Sequence, residues 1–163
     1  MLLPKTGMLL TFVPTDIAQK YYLFSHLNPM ADSSSFHIIE HTESTNNDAI
    51  FLCRSKNPPH GTALFARFQT AGKGQRGQHW ESEPDANLLM SVLLKNPLIF
   101  SEKPFLLSML VAVVCRQLLA ELLTTPVHIK WPNDLIIADR KAGGVLIENI
   151  YRGKEWQWAV AGI

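Results

Sequence analysis

Gln69-Thr70-Ala71-Gly72-Lys73-Gly74-Gln75-Arg76-Gly77-Gln78-His79-Trp80-Glu81-Ser82-Glu83-Pro84-Asp85 is the stretch that decides the fold class. Gly72 to Gly77 satisfies G-x-G-x-x-G literally, behind a segment, Thr62 to Phe68, that alternates as a strand does. A dinucleotide-binding loop must also open a helix, so that the helix N-terminus faces the pyrophosphate. His79 to Asp85 carries no apolar helical period, so a doubly wound fold is not predicted. No Gly-Lys-Ser/Thr is present either, which removes a phosphate-binding loop of that type. What remains is a long loop over residues 69–86 with three glycines and two cations, Lys73 and Arg76. Glycine lets backbone N–H groups approach a ligand, and Arg and Lys neutralise carboxylate or phosphate. Loops of this length are commonly functional or mobile.

Working outward, Phe36 to Ile39 reads as a strand. Ser44 or Thr45 then caps a short helix that buries Ile50, Phe51 and Cys53 and stops at Asn57-Pro58-Pro59. Downstream, Asn87 to Leu94 is an apolar strand. Ser101 caps a long helix to about Leu123, with Pro104 in its first turn. Leu106, Met109, Leu110, Val113, Leu118, Leu119 and Leu122 predict its buried face. Val127 to Lys130 and Leu135 to Ala138 are further strands, the latter turning at Asp139-Arg140-Lys141. Gly144 to Tyr151 and Trp156 to Ile163 form a hairpin around Arg152-Gly153-Lys154. The pattern predicts an α+β domain, a mixed or antiparallel sheet with helices against one face.

The 163 residues suit one domain, and 47% hydrophobic residues can fill one core. A net charge of +1 gives no broad attraction for nucleic acid. Cys53 and Cys115 sit among apolar residues and read as buried free thiols of a reducing, cytoplasmic compartment. The longest apolar stretch, Phe105 to Cys115, is short of the roughly 20 residues of a membrane helix, so no membrane partner is expected. Residues 1–35, closed by Pro29 and Ser33-Ser34-Ser35, read as an N-terminal extension or linker. The chain stops at Ala161-Gly162-Ile163 inside a predicted core strand, which predicts that residues 36–163 are part of a longer domain.

Four further clusters carry chemistry. Glu43-Ser44-Thr45-Asn46 puts hydroxyls and an amide at a helix start, where they cap the helix or bind a polar head group. Gln69 brings an amide that donates and accepts together, as an amide-like or urea-like ligand requires. Lys130-Trp131-Pro132-Asn133-Asp134 is either a polar turn or a site in which Asp134 holds Mg²⁺ and Asn133 orients phosphate or base. Asp139-Arg140-Lys141-Ala142-Gly143-Gly144 sets Lys141 beside glycines, either in a solvated turn or within reach of a developing charge.

In chain order these segments, with Asn87-Leu88 and the continuation Val145-Leu146-Ile147-Glu148, resemble the catalytic domain of biotin–protein ligases from about residue 36 to the end. The resemblance implies synthesis of biotinyl-5′-adenylate from biotin and ATP with Mg²⁺. It implies transfer of biotin to a lysine on the carrier domain (biotin carboxyl carrier protein) of a biotin-dependent carboxylase. Ser44, Thr45, Asn46 and Gln69 are implied to hold the ureido head of biotin, with Gly72 and Gly144 among the biotin-binding positions. Lys73, Gly74 and Gln75 are implied to fold over the adenylate. Lys141 is implied to meet the biotin carboxylate and α-phosphate, and Arg76 to act with it as a catalytic cation. Arg76, Trp80 and Asn133 are implied to serve the nucleotide and Asp134 the metal.

The sequence departs from the family pattern where Lys73, Gln75 and Gln78 stand in place of the usual arginines, which predicts a less cationic lid. Residues 1–35 are too short and patternless for a helix-turn-helix, so a ligase without a DNA-binding domain is expected; a homodimer is left open. Two other functions are consistent with the same residues: a truncated, weakly active or non-catalytic biotin-binding remnant, and a lipoate or octanoate ligase or transferase of the same fold. Lipoyl has no ureido ring and gives no reason for the Ser-Thr-Asn and Gln cluster.

Overall fold

Two strands in parallel cannot be joined by a tight turn and need a crossover. The first three elements of the computed structural model, which describes residues 35–163, make such a unit. Strand β1 (Phe36–Thr42) leads through helix α1 (Thr45–Lys56) into β2 (Ala63–Gln69), and the strands pair in parallel with Thr42 opposite Gln69. That register brings the helix start and Gln69 to the same carboxyl end of the sheet, where ligands bind in open sheets with parallel strands. The expected extension over residues 1–35 lies outside the described residues, Ser35 apart.

Next come the short strands β3 (Gly72–Lys73) and β4 (His79–Trp80), then β5 (Leu89–Lys95) and helix α2 (Phe105–Leu122). A three-stranded antiparallel sheet follows, β6 (Val127–Lys130), β7 (Asp134–Ile137) and β8 (Arg140–Gly144). The hairpin β9 (Leu146–Arg152) and β10 (Glu155–Gly162) completes the main sheet in the order β1-β2-β5-β10-β9, with every pair except the first antiparallel. The sheet is mixed and the class is α+β, as expected.

The helices, however, lie against opposite faces. Ala49 and Cys53 of α1 pack on Leu64, Leu93, Trp158 and Val160. Leu107 of α2 packs with Trp156 and Ala159, joined by Leu94 and Ile147, side chains of the other alternation. The reason is legible in β5 itself. Leu89, Met90, Leu93 and Leu94 make both of its faces apolar, and such a strand needs cover on both sides.

Four local expectations are corrected. Phe51 is 71% exposed, because α1 turns the stripe Thr45, Ala49, Cys53 inward and Phe51 lies off it. Helix α2 starts at Phe105 with Pro104 at its cap rather than at Ser101, since proline has no N–H to leave unpaired there. Its buried residues are Leu107, Ser108 and Ala112, while Leu106, Leu110, Val113 and Leu122 are exposed. A helix that is apolar nearly all round has no period that marks its inner face, and small residues allow the closest approach to the sheet. On length and composition alone α2 is apolar enough to cross a membrane, so Phe105 to Cys115 understated it.

Candidate functional site

A cavity of about 210 Å³ opens between α1, the glycine loop and the three-stranded sheet. Its floor is a run of buried polar side chains. The Thr45 backbone N–H donates to Gln69 Oε1 at 2.6 Å, and Thr45 Oγ1 lies 3.0 Å from the same atom. Ser91 Oγ lies 2.8 Å from Thr45 Oγ1 and 2.5 Å from Asn46 Oδ1. Asn46 Nδ2 donates to Glu148 Oε2 at 2.8 Å. Ser44, at the N-cap of α1, is buried, makes no side-chain cap bond and also lines the cavity.

The pleat explains how these groups meet. Ser91 stands opposite Leu64 on β2 and Gly162 on β10, so the three share the face that α1 covers. Gly162 leaves that spot bare for the Asn46 amide. A Cβ there would lie 2.5 Å from Asn46 Oδ1, closer than real contacts allow.

The glycine loop has more structure than a plain loop. Gly72 and Lys73 pair with Trp80 and His79, and Gly74 N–H donates to Gln78 O at 2.7 Å. A short 3₁₀ turn, Gln75–Gly77, forms the tip, with Arg76 left-handed at φ 55°. The far end is anchored to β2: the Arg67 guanidinium forks Asp85 at 2.6 and 2.9 Å and reaches Glu40 at 3.3 Å, partners that raise its pKa. No helix follows, in accord with the rejection of a dinucleotide loop.

The other wall comes from β7 and β8. Ala138 and Asp139, both at positive φ, make a two-residue turn, so Lys141 is a strand residue and not part of the turn as expected. A bulge at Leu135/Ile136 shifts the register and leaves Gly144 opposite Asp134. Lys141 Nζ then lies 2.9 Å from Asp134 Oδ1 and 5.2 Å from the centre of the Trp80 ring. Asn133 is buried; its Nδ2 donates to the Val145 carbonyl at 2.7 Å and its backbone carbonyl accepts from the Val145 N–H at 3.0 Å, which fixes the wall.

The structure thus gathers Ser44, Thr45, Asn46, Gln69, Lys73, Gly74, Gln75, Trp80, Asn133, Asp134, Lys141 and Gly144 around one cavity. Gly72 is buried just behind Gln69, whose Nε2 would lie 3.3 Å from an added Cβ. Arg76 is exposed at the loop tip and does not line the cavity. Its proposed catalytic part has no support in this loop position. Sequence reasoning missed Ser91, His79 and Gly162, and gave Glu148 no part; Gln78, singled out only as a lid position, also lines the cavity. Ser91 had a signal, a lone hydroxyl inside an apolar strand. For Mg²⁺, Asp134 offers one carboxylate already paired with Lys141, and the described residues hold no group of three or more His, Cys, Asp or Glu that could bind a metal.

An α+β domain with a polar cavity at the carboxyl ends of parallel strands, walled by two lysines, has the geometry of a small-molecule site. Residues 38–163 match the Biotin/lipoate A/B protein ligase family, and the chain belongs to that family. It is 34% identical over 120 residues to the bifunctional ligase/repressor BirA of Escherichia coli K12, covering 72% of this chain and 36% of the relative. It is 32% identical over 130 residues to the biotin–[acetyl-CoA-carboxylase] ligase of Paracoccus denitrificans, covering 77% and 52%. The chain therefore spans about a third to a half of the length of these relatives. Among solved structures, the Aquifex aeolicus biotin protein ligase in complex with biotin and ATP superposes with a TM-score of 0.64 at 30% identity, over 78% of this chain and 51% of that one. The Leishmania major enzyme in complex with biotin gives 0.62 at 26% identity, over 81% and 57%.

Proposed function

We propose that this cavity binds biotin and ATP, joins them as biotinyl-5′-adenylate, and serves transfer of biotin to a lysine of a biotin carboxyl carrier domain. The observation that carries the reading is the buried polar floor. Gln69 Oε1 is taken by Thr45, which leaves the Gln69 Nε2 N–H groups to donate to a ureido carbonyl. Ser44 and Asn46 stand beside it. A lipoyl ring would leave the Gln69 Nε2 N–H groups buried without a partner, at a cost of about 1–3 kcal/mol.

In the first step a biotin carboxylate oxygen bonds to the α-phosphorus of ATP, and the bond from that phosphorus to the bridging oxygen breaks, releasing pyrophosphate. Two anions must meet, and Lys141 and Lys73 supply fixed positive charge on either side of the cavity. The Trp80 ring beside Lys141 Nζ gives the nucleotide an apolar surface. Asp134 is the carboxylate that would hold Mg²⁺ alongside substrate phosphates, where the ion would neutralise phosphate charge. In the second step the lysine nitrogen bonds to the acyl carbon, AMP departs with its oxygen, and the amine loses a proton. The two free thiols among the described residues accord with a reducing cytoplasmic setting.

Pyrophosphate release by the purified chain, supplied with ATP, Mg²⁺ and either biotin or lipoate, tests this reading. Biotin-dependent release is expected. Release with lipoate and not biotin would replace it with a lipoate ligase, and biotin binding without release would leave a binding remnant.

A further inference from the structure

We propose that Glu148 is a positioning residue that ties the floor of the cavity to its glycine loop. A continuous polar path runs through it: Lys73, Glu148, Asn46, Ser91, the Thr45 hydroxyl and, through the Thr45 backbone N–H, Gln69. Glu148 stands opposite Val160 on β10, on the face that α1 covers. Its two oxygens have different partners. Oε2 accepts from Asn46 Nδ2 at 2.8 Å, and Oε1 faces Lys73 Nζ at 3.4 Å.

Counting protons fixes the direction of the path. Ser91 has one O–H and two oxygen neighbours, Thr45 Oγ1 and Asn46 Oδ1. An amide oxygen cannot donate, so Ser91 donates to Asn46 Oδ1 and accepts from Thr45 Oγ1. Gln69 Oε1 stays satisfied by the Thr45 backbone N–H. The Asn46 amide is thus held at both ends, its oxygen by Ser91 and its nitrogen by Glu148, and cannot flip without losing both bonds. Glu148 is the only charged member at the floor end of this path, and its counter-charge comes from the loop.

Two effects follow, the first of which rests on the biotin reading of the cavity. Glu148 fixes which end of Asn46 a head group meets. It also holds Lys73 while no anion is present. An anionic ligand beside Lys73 competes with Glu148 Oε1 for the same ammonium, so in the occupied cavity Lys73 turns from Glu148 to the ligand and the loop is held by the ligand instead of by β9. The carboxylate is a clamp for Asn46 and a latch for the loop.

Two substitutions separate these roles. Glu148→Gln keeps an oxygen for Asn46 and removes the charge that Lys73 faces. Glu148→Ala removes both. In the ligand-free chain, trypsin cleavage after Lys73 and Arg76 is expected to speed up about threefold in Glu148→Gln, the scale of a half-exposed ion pair. Cleavage after Arg54 and Lys56 on α1 should stay at the wild-type rate, which a general loosening of the fold would not permit. Biotin affinity should stay within about twofold in Glu148→Gln and fall about tenfold in Glu148→Ala, as for one lost hydrogen bond to a charged group. Unchanged loop cleavage in Glu148→Gln overturns the latch, and unchanged biotin affinity in Glu148→Ala overturns the clamp. If the wild-type chain binds no biotin, the biotin reading fails and the clamp fails with it. The cleavage comparison then still decides the latch.

Discussion

Lys141 sits where three requirements meet: strand β8 fixes its backbone, Asp134 holds its ammonium at 2.9 Å, and Trp80 lies under it. A cation so placed acts on charge that develops during reaction rather than on the head group at the floor. Lys141→Ala is therefore expected to lower biotin adenylation by about 10²–10³-fold while biotin affinity changes little. Turnover at the wild-type rate would remove Lys141 from this role. Gly162 makes the complementary case at the floor. Gly162→Ala drives a Cβ into the Asn46 amide, so biotin affinity should drop at least about tenfold, as titration would show. At this scale much was legible. Ser44, Thr45, Asn46, Gln69 and Lys141 were picked from their types and neighbours, and the cavity collects all five. Ser91, Gly162 and the part of Glu148 were not, because their value depends on cross-strand register, which a single sequence does not reveal.

Among the elements, α2 shows where periodicity stops being informative. Its residues are apolar on almost every side, and only packing reveals that Leu107, Ser108 and Ala112 face inward. Ser108 Oγ is buried there without a hydrogen-bond partner among the described residues. Ser108→Ala should therefore raise stability by about 1 kcal/mol, or roughly 3 °C in Tm, measured by calorimetry. A lower Tm would show that the hydroxyl has a partner after all. The glycine loop makes the opposite point. Its composition correctly ruled out a nucleotide-binding helix, yet the two-residue pairing of β3 with β4 is too short to leave any alternation in the sequence. The turn at Ala138-Asp139 was displaced by one residue, because alanine gives no hint that it will take a positive φ.

For the molecule as a whole, the α+β class followed from the order of strands and helices, but the parallel β1–α1–β2 crossover did not. That crossover sets the cavity at the carboxyl ends of two strands. The apolar character of both faces of β5 also placed the helices on opposite sides. Burial bears on pH behaviour as well. It pushes the Cys53 and Cys115 thiols from 9.0 up to about 11. The native state then holds these protons more tightly than the unfolded chain does. Their contribution is intact below about pH 9 and is lost as pH rises toward 11, so stability should fall across that window. Denaturant titrations at pH 8 and pH 10.5 check this, and Cys53→Ala should flatten the fall. An unchanged slope in that variant would assign the pH dependence elsewhere.

The measurement closest to the central claim is a calorimetric titration of biotin, with lipoate as comparison, into the wild-type chain. Saturable binding of biotin at one site and none of lipoate is expected, because the Gln69 Nε2 N–H groups left free at the cavity floor match a ureido carbonyl and have no partner on a lipoyl ring. Binding of lipoate with no heat from biotin would contradict it.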